Sequence, residues 1–284
     1  MASMTEAEIE AELQKGFSTI EVVRKHPSSP VYHIYLNSPS HRNALPLPFF
    51  LFDLPRALSL LDALPSARSI VLSARGPHFC SGIHLPSLSS AISLRTPHAL
   101  HRNILSMQSA ITSLETLRKP VIASIHGACI GAGVDLVSAC DIRYCTSSSF
   151  FSVKEVDLAL AADLGTLQRL PRIVGYGNAI EMALTGRRVG AEEARGMGLV
   201  TRVWEGREEM EREVDAVARE MAEKSVDAVS GTKAVMLRSR DLSVGEGLEY
   251  VATWNTAMLR GSEDLEEAVK AQMEKRKPVF KSKI

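Results

Sequence analysis

The chain has 284 residues, 45% of them hydrophobic, and carries 33 Lys plus Arg against 33 Asp plus Glu. That length and apolar content can bury one large core or two modest ones, and the zero net charge removes the attraction on which non-specific binding to nucleic acid or an anionic membrane depends. No run approaches the roughly 18 apolar residues of a membrane span, so neither nucleic acid nor a membrane is an expected partner.

Residues 1–17, opening MASMTEAEIEAELQ, are acidic where secretory and mitochondrial leaders are basic, and they read as an exposed tail. From 18 onward FSTIEVVRK and VYHIYLN carry the β-branched and aromatic residues of strands, LFDLPRALSLLDAL has helical spacing, and SIVLSA is a short apolar strand. Pro55 inside the helical piece should kink or restart it. A Gly-Pro loop, GPHFCSGIHLPSL, precedes a helix expected near His98 to Leu117 and an apolar strand, PVIASI. VDLVSAC reads as a buried helix, DIRYCT and SFFSV as strands. Strands alternating with helices give an α/β core, assigned to residues 18–204. Beyond it, residues 205–284 are charged helical text without a strand-like run, a helical subdomain whose apolar sides could cover a core or a partner subunit.

The four cysteines, Cys80, Cys129, Cys140 and Cys145, show no C-x-x-C spacing and sit among small or apolar neighbours, so buried reduced thiols are expected and no metal site is. The stretch GACIGAGVD, Gly127 to Asp135, joins the strand PVIASI to VDLVSAC. Its glycines are spaced G-x-x-x-G-x-G with no following lysine, which fits neither a dinucleotide fingerprint nor a P-loop. A close packing turn is one explanation. The other is an oxyanion pocket, because amides freed where a helix begins are ready donors and small residues let a ligand approach them. FCSGIHL is a second glycine loop following a strand, able to supply another N–H.

SIVLSARGPHFCSGIHL, RKPVIASIHGACIGAGVDLVSACDIRYCT and EEARGMGLVTRVW resemble the enoyl-CoA hydratase/isomerase (crotonase) superfamily, over residues 18 to 281. ACDIRYC followed by FFSVKEVDLALAADLGTLQRLPRIVG is similar to its dienoyl-CoA isomerases, which convert 3,5-dienoyl-CoA into 2,4-dienoyl-CoA. The resemblance implies a spiral of repeated β-β-α units with a C-terminal helical part, an acyl-CoA substrate with no separate cofactor, and assembly as a homotrimer or homohexamer. It maps the two thioester-binding amides onto Ile83 and Ala132, with Gly82, His84, Leu85 and Gly133 beside them. The family more often has aspartate at the position of His84 and glycine at that of Ala132; neither change removes a backbone donor, and His84 either meets the CoA or caps its loop.

Three acids in apolar text match those of the isomerase site: Glu155 as base at C2, Asp163 as acid at C6, and Asp135 tuning both. The apolar run Leu158 to Ala162 suggests that Asp163 is desolvated, with its pKa raised, whereas Asp157 reads as a surface or capping acid. Taken singly, Asp135 and Asp163 could be helix caps and Glu155 an ion-pair partner. Hydratases, the nearest alternative, hold water with two glutamates at the positions of Asp135 and Glu155 and lack an acid at that of Asp163. A non-catalytic or RNA-binding relative would need a basic imbalance that this chain lacks. In SHRNALP, Arg42 is the candidate for CoA phosphate, and in KRKPVFK, Phe280 and Lys281 are candidates for its adenine end. The terminal Ser282, Lys283 and Ile284 nearly reproduce the S-K-L address, which a peroxisomal import receptor reads on a free C-terminus; the alternative is a cytoplasmic protein with a basic end.

Overall fold

The computed structural model describes residues 4–93 and 96–281; the Ser282–Ile284 tail lies outside the described residues. Residues 6–14, expected as part of an exposed tail, instead form helix α1 (Glu6–Gln14). Thr5 and Glu8 close a reciprocal cap at its start, and Ile9 and Leu13, one turn apart, are buried in the main core. Two apolar residues in so short and acidic a stretch are a weak amphipathic signal, and their burial depends on a surface supplied by distant residues.

Strands β1 (Ile20–Val23) and β2 (Val31–Leu36) pair antiparallel. Helix α2 (Leu54–Ala63) follows a π-helical turn over Phe49–Asp53, and Pro55 sits in its first turn, where the missing N–H costs nothing. Strand β3 (Ser69–Ala74), helices α3 (Leu85–Ser93) and α4 (Pro97–Thr116), strands β4 (Val121–Ile125) and β5 (Ala128–Ile130), and helix α5 (Ala132–Ser138) come next. They lead to β6 (Ile142–Thr146), β7 (Phe150–Ser152), α6 (Thr166–Val174), α7 (Tyr176–Thr185), β8 (Val189–Gly190), α8 (Ala191–Gly196) and β9 (Arg202–Trp204). The C-terminal helices are α9 (Arg207–Ala222), α10 (Val226–Ser239), α11 (Val244–Leu259) and α12 (Glu263–Met273).

The large sheet has the order β1-β2-β3-β4-β6-β9 and is parallel from β2 onward; β5-β7-β8 form a smaller one. Every residue of β2, β3 and β4 is buried, as expected for continuous apolar strands covered on both faces. Twice the chain runs one strand in the large sheet, one in the small sheet and then a helix, through β4-β5-α5 and β6-β7-α6. The segment after β3 begins a similar turn, with Cys80 bridged to Cys129 of β5. This is the β-β-α spiral.

Helix α9 lays Met210, Val214 and Ala218 on Val31, Val71, Ile122 and Tyr144 of the large sheet. It belongs to the core layers, so the boundary expected at 204/205 cuts through a packed face. Helices α10 and α11 pack on each other, and no residue of α11 is buried. No helix among the described residues is long and apolar enough to cross a membrane.

Candidate active site

The two glycine loops meet beyond the C-terminal ends of β3 and β4. On one side the segment after β3 hydrogen-bonds to β5: Cys80 N–H donates to Ala128 O and Ile130 N–H to Cys80 O, both at 2.9 Å. On the other side Leu45 N–H donates to Gly82 O at 2.8 Å and His84 N–H to Leu45 O at 2.9 Å. In a trans peptide the N–H opposes the C=O. With Gly82 O turned toward Leu45, the Ile83 N–H is directed away from Leu45, to the side on which Gly82 approaches Ile130 and Gly131. Gly82 and Gly131 have φ of +100° and +54°, and a methyl group built on Gly131 would stand 3.7 Å from Gly82 Cα and 3.3 Å from Glu155 Oε1. Gly131 N–H is spent on Ser152 O. The Ala132 amide, first in α5, and the Ile83 amide donate no hydrogen bond among the described residues.

Asp135 is 1% exposed, and its Oδ1 accepts the Thr166 N–H at 2.7 Å. It therefore caps the start of α6, the helix that Asp163 was a candidate to cap. Burial raises the Asp135 carboxyl to about 6 and nearby Asp163 adds to the rise, against the pull of the Thr166 hydrogen bond. Glu155 opens a 3-10 turn after β7; its Oε2 is buried without a hydrogen-bond partner, and it makes no ion pair among the described residues. Burial, followed by the charges of Asp135 and Asp163, pushes Glu155 up to about 7. The three carboxyls thus sense one another and titrate as a group.

Asp163 departs from expectation. Its residue is exposed, and Leu158 and Leu160 in the preceding run are 44% and 40% exposed. Partial desolvation still moves its carboxyl upward, but the apolar run does not enclose it. The reason is local: the 3-10 turn ends with Ala159 at φ +57°, which turns the run outward. The loop is secured from α4, where Gln108 Nε2 donates to Asp163 O at 2.6 Å. Asp157 pairs at the surface with Lys154, as the plainer reading of it held.

The remaining candidates divide. His84 is a capping residue: its carbonyl accepts Leu88 N–H at 3.1 Å, and its Nδ1 lies 2.8 Å from Ser87 Oγ. Leu85 begins α3 and is half exposed. Gly133 packs tightly against the loop after β3, since a methyl group there would lie 2.9 Å from Cys80 Cβ. Arg42 is exposed beside the site, its backbone carbonyl accepting Ser81 N–H at 3.1 Å and its guanidinium making no ion pair among the described residues. Phe280 and Lys281 are not brought to the site. Arg68, before the N-terminal end of β3, donates to Phe280 O at 3.5 Å, and Lys281 N–H donates to Asp264 at 3.2 Å. β3 runs its full length between them and the glycine loops. The four cysteines are free and buried.

Asn43 was missed. Its side chain is 1% exposed, accepts Ser38 N–H and donates to the Arg75 and His78 carbonyls, all at 2.8 Å. These bonds tie the Leu45 segment to the loop after β3, and so orient the Gly82–Ile83 peptide. The available signal was an asparagine next to Arg42, both at positive φ, in a loop otherwise read for its cation.

Residues 27–283 match the family model described as enoyl-CoA hydratase/isomerase. The peroxisomal delta(3,5)-delta(2,4)-dienoyl-CoA isomerase of Arabidopsis thaliana is 56% identical over 94% of this chain and 98% of its own. The mitochondrial protein of that name from Mus musculus is 43% identical over 92% and 81%. Among solved structures, a putative enoyl-CoA hydratase from Streptomyces coelicolor A3(2) superposes with a TM-score of 0.87 at 28% identity, covering 94% of this chain and 95% of that one. The chain belongs to the enoyl-CoA hydratase/isomerase family.

Proposed function

We propose that this chain is an isomerase that converts 3,5-dienoyl-CoA into 2,4-dienoyl-CoA, a step in the oxidation of unsaturated fatty acids. The observation that carries the reading is the meeting of Gly82, Gly131 and the carboxylate of Glu155, whose Oε2 has no hydrogen-bond partner, at one point, with two unused amides beside it. The thioester oxygen accepts hydrogen bonds from Ile83 and Ala132. Glu155 takes a proton from C2, the electron pair delocalises to the thioester oxygen and along the chain, and C6 receives a proton from Asp163. The double bonds then stand at C2 and C4. Glu155 ends protonated and Asp163 ionised, and exposure of Asp163 to solvent allows its reprotonation.

Magnitudes favour the combination. A positioned base contributes about 10² to 10⁴ in rate, too little alone for a carbon acid, and one oxyanion donor adds roughly 3 to 4 kcal/mol. Asp135, held by Thr166, keeps a negative charge beside Glu155 that raises its basicity. The acyl chain, lying over Asp163, displaces water and shifts that acid further toward its protonated, donating form. Arg42 is the candidate for CoA phosphate. Phe280 and Lys281 would meet CoA only on a neighbouring copy.

The test compares 3,5-dienoyl-CoA with 2-enoyl-CoA by ultraviolet absorbance. Conjugation of the diene with the thioester should appear with the first; turnover of the second alone would replace isomerase by hydratase.

Helix α11 without a buried residue and the exposed stripe Leu265, Val269 and Met273 on α12 support self-association, for which the family resemblance implies three copies or two such trimers. Light scattering should give a mass of three or six times the 31.0 kDa chain, and a monomer would refute this. The terminal Ser-Lys-Ile and the peroxisomal relative support a peroxisomal location. A fluorescent fusion ending in this tail should co-localise with peroxisomes and lose that pattern when the last three residues are removed.

A further inference from the structure

We infer that Cys80 is a positioning residue of the oxyanion pocket, its side chain filling the seam between the two loops that carry the Ile83 and Ala132 amides and setting their spacing. The inference rests on the proposed role of those amides. Cys80 is fully buried, and its main chain is locked to β5 by the bonds to Ala128 and Ile130. Its sulfur reaches the other way. Sγ accepts the Gly82 N–H at 3.4 Å, two residues along the chain, restraining the residue whose carbonyl shares a peptide plane with Ile83 N–H.

The second loop rests on the same side chain. A methyl group on Gly133, the neighbour of Ala132, would lie 2.9 Å from Cys80 Cβ, 3.2 Å from its Sγ and 3.4 Å from Cys129 Sγ. One side chain therefore touches Gly82 and Gly133, each adjacent in sequence to a proposed donor. Sulfur suits the position because its large radius fills the seam while its lone pairs still accept an N–H. Burial pushes the thiol up to about 12, and Asp135 adds to the rise, so it stays protonated and neutral at the pH of catalysis. Cys80 is a spacer and acceptor, with no part as a nucleophile.

The thioester carbonyl stretch of bound 2,4-dienoyl-CoA, read by infrared difference spectroscopy, reports the strength of the hydrogen bonds it accepts. In the unaltered protein the band should fall to lower frequency than in free product. No such shift would refute the amide reading itself, independently of Cys80. Given the shift, Cys80→Ala should return the band part of the way and lower kcat about tenfold, because a displacement well under 1 Å is costly at an oxyanion donor. KM should change less than kcat. Cys80→Ser, which keeps an acceptor for Gly82 N–H but not the radius of sulfur, should recover part of both. A Cys80→Ala protein whose bound product keeps the unaltered band, or a serine variant no better than the alanine one, overturns the proposal. If Cys80→Ala fails to fold, Gly133→Ala reads the same spacing from the opposite loop: its methyl group must spread the seam and weaken the shift, and an unchanged band there overturns the proposal equally.

Discussion

Replacing Glu155 with glutamine is expected to lower kcat on 3,5-dienoyl-CoA by roughly 10³-fold, within the range for loss of a positioned base. The side chain keeps its shape and burial, so KM should move little. The pH dependence follows from the direction of its shift. Glu155 must be ionised to accept the C2 proton, and burial with Asp135 and Asp163 nearby puts it at about 7, so kcat/KM should fall as pH drops through neutrality. Asp135, at about 6, is coupled to it and will spread that fall over two steps. In Glu155→Gln the residual rate should lose the limb near 7. A variant retaining more than a tenth of the activity, or the same acid limb, would remove Glu155 as the base.

The same substitution should stabilise the fold in alkaline solution. A carboxyl whose folded pKa lies above its unfolded value of 4.5 favours folding while protonated; that contribution is complete below about 4.5 and is lost as pH rises through about 7. Glutamine never acquires the charge. Thermal midpoints should therefore be higher for Glu155→Gln than for the unaltered chain at pH 8, converging toward pH 4.5.

Asp163→Asn should reduce isomerisation by about 10²-fold while leaving C2 chemistry intact. Asparagine holds no transferable acidic proton at C6, but Glu155 and both amides remain. In deuterated water the variant should still exchange the C2 hydrogens of 3,5-dienoyl-CoA, followed by mass spectrometry, as its absorbance change slows. Loss of exchange together with turnover would mean that Asp163 shapes the site rather than protonating C6. Undiminished turnover would take it out of the mechanism. Its loop is anchored through backbone atoms, by Gln108 on Asp163 O, so the amide substitution spares those restraints.

How far the site was legible depended on how local its causes are. The elbow from Gly127 to Asp135 was readable because glycine spacing, a preceding apolar strand and a following apolar helix are all contiguous; the structure keeps the strand and the helix, with every residue of α5 buried, but sets the short strand β5 between them, whose pairing with β7 has no signature in the elbow itself. The acids stood out as carboxyls in apolar text, yet their environments did not follow from that text. Leu158 and Leu160 promised enclosure, and the left-handed Ala159 turned them outward. Asp135 serves the start of α6, 31 residues away, a pairing with no local signature. Asn43, which ties its loop to Arg75 and His78, and Cys80, which packs against Gly133, act through contacts between segments more than 30 residues apart in sequence, and neither stood out where it lay as part of the site.

The sequence by itself determined the α/β pattern and the two glycine loops, because periodicity and backbone freedom are properties of neighbouring residues, while the three acids were singled out by the family resemblance. Tertiary structure alone decided which way the Ile83 amide faces, that Oε2 of Glu155 is buried without a partner, that α1 and α9 belong to the core, and that Phe280 and Lys281 lie away from the site. Those outcomes depend on desolvation and on hydrogen bonds between remote segments, which exist only once the sheets have brought the segments together.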